Sequence, residues 1–193
     1  MGSKSWLRNL TLSAIAVAGF GVVGGQTAIQ ATPALAQLTQ TCQGLTLFGG
    51  VESEYRLGYC LDNNSRRNTR ARYYLYVGGR TFTRDIIELQ ISYPEAFEEE
   101  RGHFNNATIE LREGTGRGGA TIPISEVVVD SDRNMIEIYP ENPIPGNRNF
   151  MVVISSVRNP NNFGVHNFNL DAMFQGDSFR RFVGVWPLDV AAQ

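Results

Sequence analysis

The chain has 193 residues, with 17 basic and 19 acidic side chains and a formal net charge of -2. That length allows no more than one or two domains. A hydrophobic fraction of 42% with 19% charged residues excludes a disordered tail. A pI near 5.7 argues against a nucleic-acid binder, and two His and two Cys are too few for a zinc-finger or cluster protein.

The N-terminus reads as an address. Lys4 and Arg8 form a short positive start, an apolar, small-residue stretch covers residues 10–23, and Ala34-Leu35-Ala36 precedes Gln37. This layout predicts a secretory signal peptide, residues 1–36. The apolar run is shorter than the ~20 residues of a spanning helix, so no transmembrane anchor is expected in the mature protein. Thr39-Gln40-Thr41 before Cys42 lacks the small apolar residues of a lipidation site. Cleavage leaves 157 residues, the size of one domain. It also removes Lys4, the only lysine, and Arg8, so that 15 arginines face 19 acids. The expected destination is the periplasm, cell envelope or exterior. The expected division is a signal peptide at 1–36, a disulfide-bearing segment with an Arg-rich loop at 37–71, and a β-sandwich at 72–193.

In an oxidising destination Cys42 and Cys60 are expected to form a disulfide. Its loop of about 19 residues is worth roughly 3 kcal/mol on chain-entropy grounds. The spacing is unlike the Cys-x-x-Cys of redox pairs. The next segment is a polar loop, Asp62-Asn63-Asn64-Ser65-Arg66-Arg67-Asn68-Thr69-Arg70. Arg66, Arg67, Arg70 and Arg72 put four cations within seven residues. If Arg70 and Arg72 both begin the next strand, the two-residue period places them on one face. The patch suits sulfated or uronic polysaccharide, lipopolysaccharide phosphate or an acidic protein surface. The alternative is a solvated loop paired with the chain's own acids.

Strand periodicity follows. Residues 72–77 are aromatic and β-branched. In residues 86–93, Ile87, Leu89, Ile91 and Tyr93 alternate onto one side. Pro94 and Glu95 open a helix of about two turns. Ile109 and Leu111 alternate in residues 107–112. Residues 122–129 and 135–139 flank the turn Asp130-Ser131-Asp132-Arg133-Asn134 as a hairpin. Residues 150–157 are apolar enough for a central strand. His166, Phe168, Leu170 and Ala172 alternate with Asn167, Asn169, Asp171 and Met173, and residues 182–190 close the chain. Gly, Pro and Asn punctuate these runs. The prediction is an all-β fold, an antiparallel β-sandwich, Ig-like or similar, of about seven to nine strands with one short helix.

Catalytic constellations are scarce. Gly114-Thr115-Gly116-Arg117-Gly118-Gly119 matches G-x-G-x-x-G, but strands flank it on both sides, so it reads as a hairpin loop rather than a phosphate cradle. His103 falls in a loop and His166 on the apolar side of its strand; two histidines make no metal site. Glu98-Glu99-Glu100 splays around a helix, unlike a glycosidase pair. Asp130 and Asp132 are calcium candidates in a turn that has no EF-hand loop, or simply turn residues. Phe104, Phe163, Phe174, Phe179 and Trp186 are candidates for sugar stacking or for the core. No cofactor is expected.

A wider pattern runs through Pro143-Ile144-Pro145-Gly146, the strand Met151-Val152-Val153-Ile154, Val157-Arg158-Asn159-Pro160, Gly164-Val165, Gly176 and Phe182-Val183-Gly184. It resembles the DUF2808 family of secreted cyanobacterial proteins, across about residues 73–186. Met173-Phe174-Gln175-Gly176 departs from that pattern, which has an aromatic residue, Pro, a small residue and Gly. Residues 66–72 and the two Cys lie largely upstream of the similarity. The family has no known function, so the resemblance implies no catalytic residues. Together these readings predict an exported, non-catalytic envelope or matrix protein that binds a protein or an anionic polysaccharide. The competing readings are a hydrolase acting on wall or capsule polymer and a self-assembling surface subunit.

Overall fold

Alternation of period two builds the sandwich. In the strand Gly164–Phe174, His166, Phe168, Leu170, Ala172 and Phe174 are buried, while Val165 and Asn167 face solvent. The computed structural model describes residues 40–42, as backbone, and 52–193. The predicted signal peptide lies outside the described residues, which all belong to one unit, Ala36–Gln193.

Eleven strands occur among the described residues: β1 (Gln40–Cys42), β2 (Tyr59–Asp62), β3 (Ala71–Val77), β4 (Ile86–Ser92), β5 (Thr108–Glu113), β6 (Thr121–Ile122), β7 (Ile124–Asp130), β8 (Met135–Pro140), β9 (Phe150–Val157), β10 (Gly164–Phe174) and β11 (Arg181–Val190). They form two sheets, ordered β1-β2-β3-β9-β5-β6 and β11-β10-β4-β8-β7. Every pairing of neighbouring strands is antiparallel. The predicted antiparallel sandwich is therefore the observed architecture. The count exceeds the predicted seven to nine because β1 and β6 are only three and two residues long. The run at residues 122–129 is also not one strand. Pro123 has no N–H for a ladder, and there the chain crosses from the first sheet, which holds Ile122, to the second, which holds Ile124. The hairpin survives as β7 and β8, in register from Asp130 opposite Met135 to Val127 opposite Ile138.

Two bulges reverse side-chain parity. The register of β10 on β4 shifts between Met173 and Phe174, so Ile86 is buried and Ile87 is exposed. The expectation that Ile87 shares a face with Leu89 and Ile91 is thereby corrected. The register of β10 on β11 shifts between Leu170 and Asp171, pairing Leu170 with Gly184 but Asp171 with Phe182. A bulge inserts one residue and flips everything beyond it.

The core lies between the sheets. Tyr73 and Leu75 from one sheet meet Leu89, Ile91, Phe168, Leu170 and Trp186 from the other, and Trp186 Nε1 donates to the Tyr76 carbonyl at 3.0 Å. Helix α1 (Glu95–Glu99) follows Pro94 as expected. Five residues cannot hold a helix alone. Phe97 anchors it, buried at 5.4 Å from the Phe168 ring, with Phe104 at 5.3 Å and Tyr93 at 5.8 Å. Such pairs are worth about 0.5–1.5 kcal/mol each beyond area burial.

One buried polar group joins three segments. The Tyr73 hydroxyl donates to Asn159 Oδ1 at 2.6 Å, and Asn159 Nδ2 donates to the carbonyls of Ser65 at 2.8 Å and Asn63 at 3.2 Å. Asn159 is fully buried, and burial pushes the Tyr73 phenol far above its usual range. Asn159→Ala strands that hydroxyl and two carbonyls; the expected loss is about 2–4 kcal/mol in urea unfolding, against about 1–2 kcal/mol for Tyr73→Phe. Equal losses would contradict this assignment.

His166 packs edge-on against Phe97 at 5.6 Å, and its Nε2 is buried with no hydrogen-bond partner among the described residues. Burial lowers its pKa from the ordinary 6.5. The fold therefore holds neutral imidazole, and the unfolded chain takes up a proton first. Stability is expected to fall as pH drops through 6.5. His166→Leu should flatten that part of the pH–stability curve, and an unchanged slope would contradict the assignment.

Candidate functional site

The arginine loop sits where β3 begins, held to the C-terminal end of β11. The Arg66 amide donates to the Ala191 carbonyl at 2.8 Å and its Nε to the Ala192 carbonyl at 3.1 Å. Arg67 adopts φ 63° and donates its amide to the Pro160 carbonyl at 2.9 Å. The Arg70 amide donates to Asn68 Oδ1 at 2.7 Å, and Arg72 Nε donates to Ser155 Oγ at 2.9 Å. Only Arg72 belongs to the strand, which begins at Ala71 with a bulge between those two residues. The condition that Arg70 and Arg72 both begin the strand is not met. All four side chains are exposed, and none has a carboxylate partner among the described residues.

The loop continues into a polar groove. Asn161 donates its amide to the Glu100 carbonyl at 2.7 Å, while His103 and Arg158 exchange backbone bonds at 3.1 Å. The groove, about 470 Å³, is lined by Glu98, Arg101, His103, Asn105, Ser131 and Arg158. Arg158 Nε donates to the Arg101 carbonyl at 3.0 Å, and neither guanidinium meets a carboxylate among the described residues. Glu98 is engaged, accepting from the Tyr93 hydroxyl at 2.6 Å. Sequence reasoning placed His103 in a loop but missed Arg101 and Arg158 beside it; that meeting is made only by the pairing of the 103 and 158 segments.

The remaining candidates have structural partners. The glycine-rich segment 114–119 links β5 to β6 and opens no helix. Its Arg117 folds back over the outer face of the first sheet, 4.6 Å from the Tyr74 ring and 2.7 Å from Asp62. Asp130 accepts from the Arg133 amide and Nε at 3.0 and 2.7 Å, which holds its carboxyl below the usual range. No group of three or more His, Cys, Asp or Glu suited to a metal occurs among the described residues. Glu88 and Glu137 converge on Arg180, which bonds both, Glu137 at 2.8 Å.

The candidate stacking residues divide. Phe104, Phe174 and Trp186 are buried; Phe163 and Phe179 are exposed, at 63% and 65%. Phe182 and Tyr55 are also exposed, their rings 5.6 Å apart. Strict alternation from Trp186 through Gly184 points Phe182 inward, and only the bulge in β11 turns it out. Among the described residues, no helix is long and apolar enough to cross a membrane.

No curated protein matches this sequence. Among solved structures, the collagen-binding domain of a Staphylococcus aureus adhesin is similar at 13% identity and a TM-score of 0.34, covering 61% of this chain and 85% of that one. BslA, titled a bacterial hydrophobin, is similar at 12% and 0.40, over 66% and 85%. The RrgA Jo.In complex is similar at 9% and 0.37, over 66% and 76%. The family match runs over residues 45–190 and so takes in Cys60 and residues 66–72, further upstream than the motifs alone reach. With that span matched, the chain belongs to DUF2808, a family described as proteins of unknown function.

Proposed function

We propose that this chain is an exported, non-catalytic binding module of the cell envelope that docks a polyanionic glycan on its arginine end. One observation carries the reading. Arg66, Arg67, Arg70 and Arg72 are exposed and without ion pairs among the described residues, whereas six other arginines pair with carboxylates. Every Asp and Glu of the chain lies in the described part, so the solvated-loop alternative finds no internal partner for these cations. Arg101 and Arg158 extend the cationic surface into the polar groove. Guanidinium forks suit sulfate and carboxylate groups and keep their charge at any accessible pH.

The expected result of Arg66→Glu with Arg67→Glu is loss of retention on a sulfated-glycan column at low salt. The wild-type protein should elute as ionic strength approaches about 0.5 M, where the Debye length falls to a few ångströms. Unchanged retention of the double variant would overturn the proposed contact.

Export also accords with a disulfide between Cys42 and Cys60. The two stand directly opposite each other across β1 and β2. Opposed residues of antiparallel strands have Cα atoms about 4.5–5.5 Å apart, inside the range that a disulfide spans. Intact-mass measurement of residues 37–193 without reductant is expected to be two hydrogens lighter than the reduced chain. Cys42→Ser with Cys60→Ser is expected to cost about 2–4 kcal/mol. Two free thiols in the exported protein would contradict the pairing.

A further inference from the structure

The end of the sandwich opposite residues 66–72 exposes aromatic rings beside a cation and an anion that lack ionic partners. β3 leaves the arginine loop and runs seven residues, about 20 Å, before the short turn Gly79–Thr81 that carries Arg80. β11 runs the other way, from Arg181 and Phe182 to Val190, next to the Ala191 that meets Ser65. A groove of about 390 Å³ at this end is lined by Glu54, Tyr55, Arg80, Arg84, Arg181 and Phe182. That volume lies within the range of small-ligand sites.

Two backbone devices hold the rings there. The bulge in β11 pairs Phe182 with Asp171 and leaves its ring 49% exposed. Gly184 allows the segment carrying Tyr55, itself 42% exposed, to lie directly on β11. A Cβ at position 184 would come 2.6 Å from the Tyr55 carbonyl oxygen. The Val185 amide donates to that same carbonyl at 2.8 Å, and the Leu57 amide donates to the Val185 carbonyl at 2.8 Å.

The charges around the rings are not equivalent. Arg84 grips Asp177 with two bonds of 2.7 Å, and Arg181 adds a third at 2.8 Å. These bonds hold the Asp177 carboxyl at about 2, so both guanidiniums are already engaged. Arg80 and Glu54 have no ion-pair partner among the described residues. Among the described residues, the lining groups without an ionic partner are thus one cation, Arg80, and one anion, Glu54. A hydroxyl donates and accepts at once, so a donor and an acceptor flanking aromatic faces fit a polyhydroxylated ring.

We propose that this groove is a second binding site, for a neutral pyranose saccharide. The apolar C–H face of the ring stacks on Phe182 and Tyr55. Ring hydroxyls donate to the Glu54 carboxylate and accept from the Arg80 guanidinium. The site does not rest on the arginine end, so the chain would join a charged polymer at one pole to a neutral one at the other.

The test is calorimetry of the full mature chain against cello-, malto- and manno-oligosaccharides in about 0.5 M salt, which screens polyanion contacts. At least one neutral oligosaccharide is expected to bind. Affinity should fall about tenfold or more, a loss of about 1.4 kcal/mol, in Phe182→Ala and independently in Arg80→Ala. Both positions are exposed, and the second guards against a folding defect in the first. Arg66→Glu with Arg67→Glu should bind as the parent does. The proposal is overturned if none of the three series binds, if Phe182→Ala binds like the parent, or if only a uronic or sulfated oligosaccharide or a protein occupies the groove. Loss of sulfated-glycan retention with oligosaccharide binding intact, or the reverse, separates failure at one pole from failure at the other.

Discussion

The hydrogen bond from Tyr73 to Asn159 organises the arginine end. Tyr73 is fixed by the core, 6.2 Å from the Phe168 ring across the two sheets. Asn159, the residue after Arg158 in the 157–160 segment, converts that fixed point into a position for the loop. Its side chain holds the carbonyls of Asn63 and Ser65, and its amide donates to the Asn68 carbonyl at 2.8 Å. A loop with four neighbouring arginines repels itself. Here its backbone is tied down from inside by a neutral amide; Arg66 and Arg72 each commit one guanidinium N–H, to the Ala192 carbonyl and to Ser155, and none of the four meets a carboxylate among the described residues. The same residue places Arg158 at the rim of the polar groove.

At the opposite pole the ordering device is backbone irregularity. A sandwich of regular strands would send Phe182 into the core beside Trp186. The one-residue bulge in β11 turns it out, and Gly184 lets a neighbouring segment bring Tyr55 to it. Arg84 and Arg181 are held on Asp177, and Arg80 and Glu54 are the lining charges without an ion pair among the described residues. The two poles differ in charge because one loop keeps its cations unpaired and the other pairs most of them.

Much of this was legible in the sequence. Alternation in residues 166–172 and the polar turn at 130–134 placed β10 and the β7–β8 hairpin, because period two reads directly onto two-faced strands. The arginine loop was visible as composition, and His166 as a core residue from its parity. Bulges were not legible. They shift register by one residue without a composition signal, which is why Ile87 was assigned to the wrong face. Pro123 carried a signal, as the missing donor within an apparent strand, and it marks the crossing between sheets. Arg101 and Arg158 lie 57 positions apart and meet only through tertiary pairing, as do Arg117 and Asp62 across the first sheet.

The central claim is that one β-sandwich presents two chemically distinct poles a strand length apart. Amide chemical-shift mapping on isotope-labelled protein spanning residues 37–193 tests it most directly, by titration with a sulfated oligosaccharide and then with a neutral one. The account predicts that the sulfated ligand shifts amides of residues 66–72 and 158–161, and the neutral ligand those of residues 54–55, 79–84 and 181–184, each leaving the other set in place. Perturbation of the same residues by both ligands, or of neither set, would contradict it.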